Sequence, residues 1–290
     1  MPELPEVETI AKGLRQTIVG KQVKKIQAIF PDIVRQKFDI FKKSVTKKKI
    51  KGIRRKGKYL LVDLSGDKTI LVHLGMTGNL LLHVRHPPSA VRRQHQNNKI
   101  NRHDKHDHLI FCFLGSNTRL CYNDQRKFGK IKVFDTDKEN QVTELKKLGP
   151  DAIDVTPTEF VEIFRKRKGR IKSALLNQHI VAGLGNIYAD ESLFEARINP
   201  AQKIDRLSKS KLVQLHKAVN KILRKAIKAG GSSIDNYLNV DGRTGQFQLQ
   251  HKVYGREGER CKRCGAKIKR IKINQRSSYF CPKCQPLYKK

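Results

Sequence analysis

The hydrophobic positions of this chain change their period along its length. Over residues 3–19, Val7, Ile10, Leu14 and Ile18 recur at helical spacing, and a glycine follows at position 20. That predicts an amphipathic helix at the start of the chain. From 21 to about 135 the pattern shortens into strand-like runs: KQVKKIQAIF, KYLLVDLS, TILVHLG, NLLLHV, HLIFCFL, TRLCYN and KIKVF, punctuated by Gly, Asn, Asp and Ser. Many short strands with turn signals predict a β-sandwich or barrel. The polar stretch HVRHPPSAVRRQHQNNKINRHDKH, 83–106, reads as a long surface loop.

From about 143 the period turns helical. TPTEFVEIFRKRK carries a Thr-x-x-Glu capping signal, and SKSKLVQLHKAVNKILRKAIKAGG reads as a long helix stopped by glycines. No internal repeat is present. The expected organisation is α+β and multidomain: a β domain led by a helix, a helical domain, and a cysteine-bearing hairpin.

Charge narrows the partners. The 290 residues carry 62 Lys+Arg against 26 Asp+Glu, a formal net charge of +36 spread along the whole length. Such a field favours a polyanion through counterion release and steering, so nucleic acid is the expected partner. A lysine-rich proteome would account for part of the charge. A membrane surface is the rival reading, but no long apolar span and no signal-peptide pattern support it. A chain of this length suffices for two domains with real cores, and a hydrophobic content of 38% predicts a folded protein.

Six cysteines are present. Cys112 and Cys121 lie in apolar runs and read as buried strand residues. Cys261 and Cys264 in CKRC, with Cys281 and Cys284 in CPKC, form two Cys-x-x-Cys pairs. Each pair can close one side of a tetrahedral zinc ion, with the segment between them returning as a hairpin. Two disulfides in a secreted protein would give the same spacing. Four thiolates leave no open coordination position, so the zinc is expected to be structural.

The start, MPELPEVETI, poses a separate question. Pro5, Glu6 and Glu8 suit the first turn of a helix, where a fixed φ and acidic side chains are favourable. Pro2 sits at the chain end and is not explained that way.

The chain resembles the formamidopyrimidine-DNA glycosylases essentially from end to end. The resemblance is carried by MPELPEVET, GKYLLVDL (57–64), HLGMTGNL (73–80), KHDHL (105–109), NDQRKFG (123–129), GLGNIYADESLFEARINP (183–200), VYGREGERCKRCG (253–265) and QRSSYFCPKCQ (275–285), in this order. It implies a two-sheet antiparallel β-sandwich with an N-terminal helix, a helix–two-turn–helix domain and a zinc finger. The implied boundaries are 1–137, 138–250 and 251–290. The implied activity is base-excision repair of oxidised purines in duplex DNA, followed by strand cleavage, by a cytoplasmic, nucleoid-associated bacterial monomer holding one structural zinc.

The resemblance also assigns roles. Removal of Met1 would expose Pro2 as a secondary amine, and a chain-terminal amine ordinarily titrates at roughly 7.7–8 against about 10.4 for lysine. Far more of it is therefore free to attack the sugar and form an iminium. Glu3 is the implied general acid toward the ring oxygen, kept neutral by burial. Glu6 is a proton relay or water holder, with first-turn dipole compensation the equal alternative. Lys58 is the implied proton donor in elimination; phosphate contact with Arg54, Arg55 and Lys56 is the other reading, and Lys56 a competing candidate. Arg276 would grip the phosphates flanking the lesion.

Base eversion needs a wedge. Met76, Arg126 and Phe128 correspond to the family's insertion trio; without the resemblance, Met76 and Phe128 would be read as core. Gln125 and Lys127 stand where the family more often has Pro and Arg. Asn186 would bind phosphate near a helix N-terminus, and His73, His106, Lys168 and Lys172 match positions that contact or approach DNA. DGRTGQFQ, 241–248, matches the mobile loop over the everted purine. Two alternatives stand beside this reading. One is an endonuclease VIII-like enzyme for oxidised pyrimidines, against which Leu4 and the Arg126/Phe128 pattern speak. The other is a non-catalytic zinc-dependent DNA-binding protein.

Overall fold

The computed structural model describes residues 1–84, 104–234 and 236–288; most of the expected surface loop 83–106 lies outside the described residues. The chain divides into two compact units. The first comprises Met1–Pro2, Glu6–Lys146 and Ser232–Gly245, and the second Glu3–Pro5, Lys147–Gly231 and Gln246–Lys290.

Two four-stranded antiparallel sheets build the first unit. One has the order β1-β6-β7-β5 and the other β2-β3-β4-β8. The strands are β1 (Val23–Ala28), β2 (Ile50–Lys56), β3 (Tyr59–Leu64), β4 (Lys68–His73), β5 (Gly78–Val84), β6 (Asp107–Phe113), β7 (Thr118–Asp124) and β8 (Lys130–Asp135). Alternate residues of both sheets share one core: Leu60, Val62 and Leu64 with Ile70 and Val72 from one, and Leu109, Phe111, Phe113 and Leu120 from the other. Period-two burial on facing sheets is what makes a sandwich. Helix α1 (Leu4–Ile18) adds Val7, Ile10, Leu14 and Ile18 to that core, as its apolar spacing predicts.

Two elements escape the sequence pattern. Helix α2 (Phe38–Val45) buries only Phe41 and Val45, one i,i+4 pair. Strand β2 buries Ile50 and Ile53 three residues apart, because its pairing with β3 shifts register between Ile50 and Gly52. A bulge of this kind destroys the alternation that identifies a strand. Cys121 is buried as expected, whereas Cys112 is only half-buried.

The second unit is helical: α4 (Pro157–Arg165), α5 (Ile171–Leu176), α6 (Asn186–Glu195) and α7 (Lys209–Lys228); the short α3 (Thr143–Lys146) belongs to the first unit. The capping box at α4 is present: Thr156 accepts from Glu159 N–H, and the Glu159 carboxylate accepts from Thr156 N–H at 3.0 Å. The core joins Phe160, Phe164, Tyr188, Leu193, Leu215 and Val219. At the C-terminus β9 (Lys269–Ile273) pairs with β10 (Arg276–Phe280). Asn274 and Gln275 join them at φ 47° and 61°, the two-residue connection whose twist suits a hairpin.

Candidate active site and metal centre

Within the second unit, the residue after Pro2 is held with unusual completeness. Glu3 is buried, and its carboxylate accepts N–H bonds from Gly185 at 2.7 Å, Ile187 at 3.0 Å and Tyr188 at 3.4 Å. These donors are the orphan amides at the start of α6. Leu4 N–H adds a bond to Gly183 carbonyl at 3.0 Å. A Cβ on Gly185 would lie 2.3 Å from Glu3 Cδ, and Gly183, at φ 105°, would meet Leu4 at 2.5 Å. The glycines of GLGNIY are thus space for Glu3 and Leu4. The Glu3 carboxylate thus occupies the Gly185, Ile187 and Tyr188 amides at this helix start. Asn186 is the first residue of α6, beside that carboxylate.

The first unit carries Pro2, Glu6 and Lys58. Pro2 is buried. Glu6 is buried, accepts Ser232 N–H at 2.7 Å through its carboxylate, and accepts the Tyr237 hydroxyl at 3.4 Å through its carbonyl. It therefore ties Ser232 and Tyr237 to α1. Lys58 is buried in the two-residue turn between β2 and β3, where Lys56 pairs with Tyr59 and Gly57 takes φ 58°. Glycine is favoured at that first central position. Arg55 braces the turn, reaching Glu8 at 2.8 Å and the Gly57 carbonyl at 3.0 Å. Arg54 forks onto Asp63 and bonds Glu139 at 2.8 Å. Both guanidinium groups hold carboxylates of the chain, the Arg55 side chain buried and that of Arg54 still 45% exposed. Of the two candidate lysines, Lys58 is the more buried.

His73, at the end of β4, packs against Tyr59 with ring centroids 4.8 Å apart and planes tilted by 47°, and accepts Gly75 N–H at 3.2 Å. Burial, helped by the charges of Lys58 and Lys130, pushes its pKa down to about 4. It is neutral at pH 7 and offers no cation to a phosphate. His106 is half-buried; its N–H bonds Asp104, and its carbonyl accepts Asp124 N–H at 3.0 Å.

Met76, Arg126 and Phe128 all lie in turns of the first unit. Met76 is 41% and Phe128 51% exposed, so neither is core. The Arg126 guanidinium lies 4.8 Å from the Phe128 ring centroid, a cation–π stack. Asp124, fully buried, organises both turns: it accepts Thr77 Oγ1–H at 2.6 Å, Arg126 N–H at 3.2 Å and Gly129 N–H at 2.8 Å. The two turns approach closely at Gly75, where a Cβ would lie 2.7 Å from Gly129 N.

The remaining candidates belong to the second unit. Lys168 is exposed, on an open cleft of about 470 Å³ lined by Arg167, Arg170, Ser173, Asn177 and Asn274. Asn274 of the hairpin turn bonds Ser173 at 3.1 Å, and exposed Arg276 opens β10 two residues later. Lys172 is fully buried, pairs with Asp190 at 2.7 Å and donates to the Ser277 carbonyl at 2.8 Å. Burial pushes the Asp190 carboxyl up to about 7, while Lys172 and the Tyr279 N–H pull it back. The pair anchors the strand that begins with Arg276. Glu191, also buried, accepts N–H bonds from Lys252, Val253 and Tyr254 at 3.0, 2.9 and 2.9 Å.

Asp124, Asp190 and Glu191 were missed by sequence reasoning. For Asp190 and Glu191 the available signal was two adjacent acids in the middle of the helix NIYADESLFE, with no basic residue in that helix. In the glycine-rich 241–248 stretch, Asn239 Oδ1 caps Asp241 and Arg243 N–H groups, and Gly242 takes φ 76°. Its far end is not loop: Phe247 is buried against Tyr188, with centroids 5.6 Å apart.

The Sγ atoms of Cys261, Cys264, Cys281 and Cys284 lie within 4.8 Å of one another, with Cys261–Cys284 at 3.9 Å and Cys264–Cys281 at 3.4 Å. Four thiolates at about 2.3 Å around a tetrahedral ion sit about 3.8 Å apart, so the set fits. These four residues hold one structural zinc ion, with no position left for substrate.

The two-sheet sandwich, the helical unit and the thiolate-bound hairpin define a zinc-finger protein of the helix–two-turn–helix class. Residues 1–131 match the formamidopyrimidine-DNA glycosylase N-terminal domain, 148–237 the formamidopyrimidine-DNA glycosylase H2TH domain, and 258–287 the zinc finger found in FPG and IleRS. The formamidopyrimidine-DNA glycosylase of Pediococcus pentosaceus is 43% identical over 289 residues, covering 99% of this chain and 100% of its own. That of Lactobacillus helveticus is 40% identical over 291 residues, with 100% of both chains covered. Among solved structures, Lactococcus lactis Fpg in complex with abasic site-containing DNA superposes with a TM-score of 0.86 at 40% identity, covering 98% of this chain and 99% of that one. The same enzyme with Fapy-dG-containing DNA gives 0.85, at 40% identity and coverage of 98% and 100%. The chain belongs to the formamidopyrimidine-DNA glycosylase family.

Proposed function

We propose that this chain excises oxidised purines, 8-oxoguanine and formamidopyrimidines, from duplex DNA and then cleaves the strand as an abasic-site lyase. The observation that carries the reading is the anchoring of Glu3 on α6, which holds the residue following Pro2 by three hydrogen bonds. A nucleophile at a chain terminus is useful only when the terminus is positioned, because alignment supplies much of the rate.

With Met1 removed, the Pro2 nitrogen attacks the sugar's anomeric carbon. The glycosidic bond breaks, its electron pair leaving with the base. Glu3 carries a proton to the ring oxygen, the sugar opens, and a cationic iminium forms. That cation is the electron sink for β- and then δ-elimination. Lys58 supplies a proton during elimination, and Arg276 forks onto the flanking phosphates. Glu6 positions Ser232 and Tyr237. Met76, Arg126 and Phe128 fill the space the everted nucleotide leaves; their exposure supports this. Lys168, His106, His73 and Asn186 line the DNA path. The zinc ion holds the hairpin and takes no chemical step.

The functional division follows 1–137, 138–250 and 251–290. The chain acts as a cytoplasmic monomer on nucleoid DNA. Among the described residues no helix is long and apolar enough to cross a membrane. A relative, Lactococcus lactis Fpg, has also been solved with oxidised pyrimidine-containing DNA, so the pyrimidine alternative belongs in the same assay.

Borohydride trapping tests the reading. The protein is incubated with a duplex carrying 8-oxoguanine opposite cytosine, reduced, and the cross-linked peptide mapped by mass spectrometry. An adduct on the Pro2 amine, in protein lacking Met1, is expected. Zinc-loaded protein lacking Met1 that neither cross-links nor nicks this duplex would overturn it; nicking of an oxidised-pyrimidine duplex alone would assign the alternative, and binding without nicking a non-catalytic protein.

A further inference from the structure

A second group of metal-ligating side chains lies in the β1-β6-β7-β5 sheet, with no part in the chemistry above. His83 is on β5, Asp107 on β6 and Cys121 on β7. β5 and β6 flank β7, and the register places Cys121 opposite Leu81 on one side and Ile110 on the other. His83, two residues beyond Leu81, faces the same side of the sheet. A bulge between Asp107 and Leu109 returns Asp107 to that side, opposite Asn123.

The ring nitrogen of His83, a carboxylate oxygen of Asp107 and Sγ of Cys121 all lie within 4.8 Å of one another. Asp107 and Cys121 are buried, and His83 Nε2 is buried with no hydrogen-bond partner. A buried imidazole nitrogen without a partner is destabilising, and a bound cation would satisfy it. The carboxylate is already oriented: Asp107 Oδ1 accepts Asn123 Nδ2–H at 2.9 Å, and Oδ2 faces Asp104 N–H at 3.3 Å. Outer hydrogen bonds of this kind fix a ligand's direction.

We propose that His83, Asp107 and Cys121 form a second metal site, distinct from the four-cysteine centre, that takes one divalent transition-metal cation. One nitrogen, one oxygen and one sulfur, with a fourth position open to water, is a donor set suited to zinc or cobalt. Without metal the site is a neutral thiol: burial, then the Asp107 charge, pushes Cys121 up to about 12. Binding forms the metal–sulfur bond and releases the thiol proton to solvent, one proton for each metal bound. In the fold, the cation clips three adjacent strands.

The test is a cobalt titration of full-length protein that already holds its first zinc. Wild type is expected to take a second metal equivalent, with a visible absorption band bearing the charge transfer of a single thiolate and release of one proton. Cys121→Ser and His83→Gln are each expected to weaken that second equivalent at least about 10-fold. Both should retain the first zinc and nick abasic DNA normally, which shows that they fold. No second equivalent in wild type, or a second equivalent unchanged in either variant, overturns the site. Should Cys121→Ser not fold, His83→Gln and Asp107→Asn decide the question by the same criterion.

Discussion

The carboxylate of Glu3 lies 2.7 Å from the amide nitrogen of Gly185, a residue 182 positions away in the chain. The contact exists because residue 185 has no side chain: a Cβ there would lie 2.3 Å from Glu3 Cδ. Gly185→Ala is therefore expected to expel Glu3 from the start of α6. Strand nicking at 8-oxoguanine should fall by about two orders of magnitude, the scale of a misplacement of roughly 1 Å. Zinc content should be unchanged. A nicking assay with metal analysis on one preparation reads both.

Exposed and buried members of the two turns should separate function from stability. Met76→Ala and Arg126→Ala remove exposed side chains, so the unfolding free energy should move by no more than about 0.5 kcal/mol. Excision of 8-oxoguanine should drop sharply. Asp124→Ala orphans several N–H and O–H groups in a buried place and should cost about 2–4 kcal/mol. Urea unfolding beside a single-turnover excision assay checks the contrast.

Lys172 and Asp190 form a pair with no exposure on either side. Lys172→Ala strands a buried carboxylate, so about 3–5 kcal/mol of stability should be lost. Lys172→Met combined with Asp190→Leu should recover most of it, since two apolar groups leave no stranded charge. Recovery of stability without recovery of nicking would show that the pair also sets the position of Arg276.

Chelation of the four-cysteine zinc should unfold the hairpin and little else. The cluster beneath it is small, with Val253, Ile268 and Phe194 among its few apolar members, so metal binding supplies much of the local folding energy. Hydrogen exchange should become fast in β9 and β10 while the sandwich strands stay protected. Nicking should vanish with Arg276 displaced.

His251 is buried between Phe247 and Tyr254. Burial, ahead of the charges of Lys262 and Arg256, pushes its pKa down from 6.5 to about 4. A depressed histidine is neutral in the fold and takes up a proton more readily when unfolded. Its stabilising contribution is complete above pH 6.5 and is lost as the pH falls toward 4. The loss should reach up to about 3 kcal/mol at roughly 1.4 kcal/mol per unit. The measurement is the difference in unfolding free energy between wild type and His251→Phe across that range. The difference cancels the opposite trend contributed by Asp190.

Much of this protein is determined locally and is legible in its sequence. The amphipathic stripe of α1, the Thr156–Glu159 capping box and the two Cys-x-x-Cys pairs need only neighbours within a few residues, so spacing reveals them. The strands with one face in the core announce themselves by alternation. Tertiary structure decided the rest. Strand β2 was hidden because a bulge broke its period, and α2 because a single i,i+4 pair is all it buries. The environments of the charged residues were hidden for a stronger reason. Arg54, Arg55 and Lys172 read as cations for phosphate, yet their partners Asp63, Glu8 and Asp190 come from 9, 47 and 18 residues away, the last separation following from residue numbers 172 and 190. Whether a charge faces solvent or is spent inside the chain depends on which distant carboxylate the fold delivers to it. For Lys172, with no exposure, desolvation makes the partner obligatory: a buried ammonium without its carboxylate is too costly to keep.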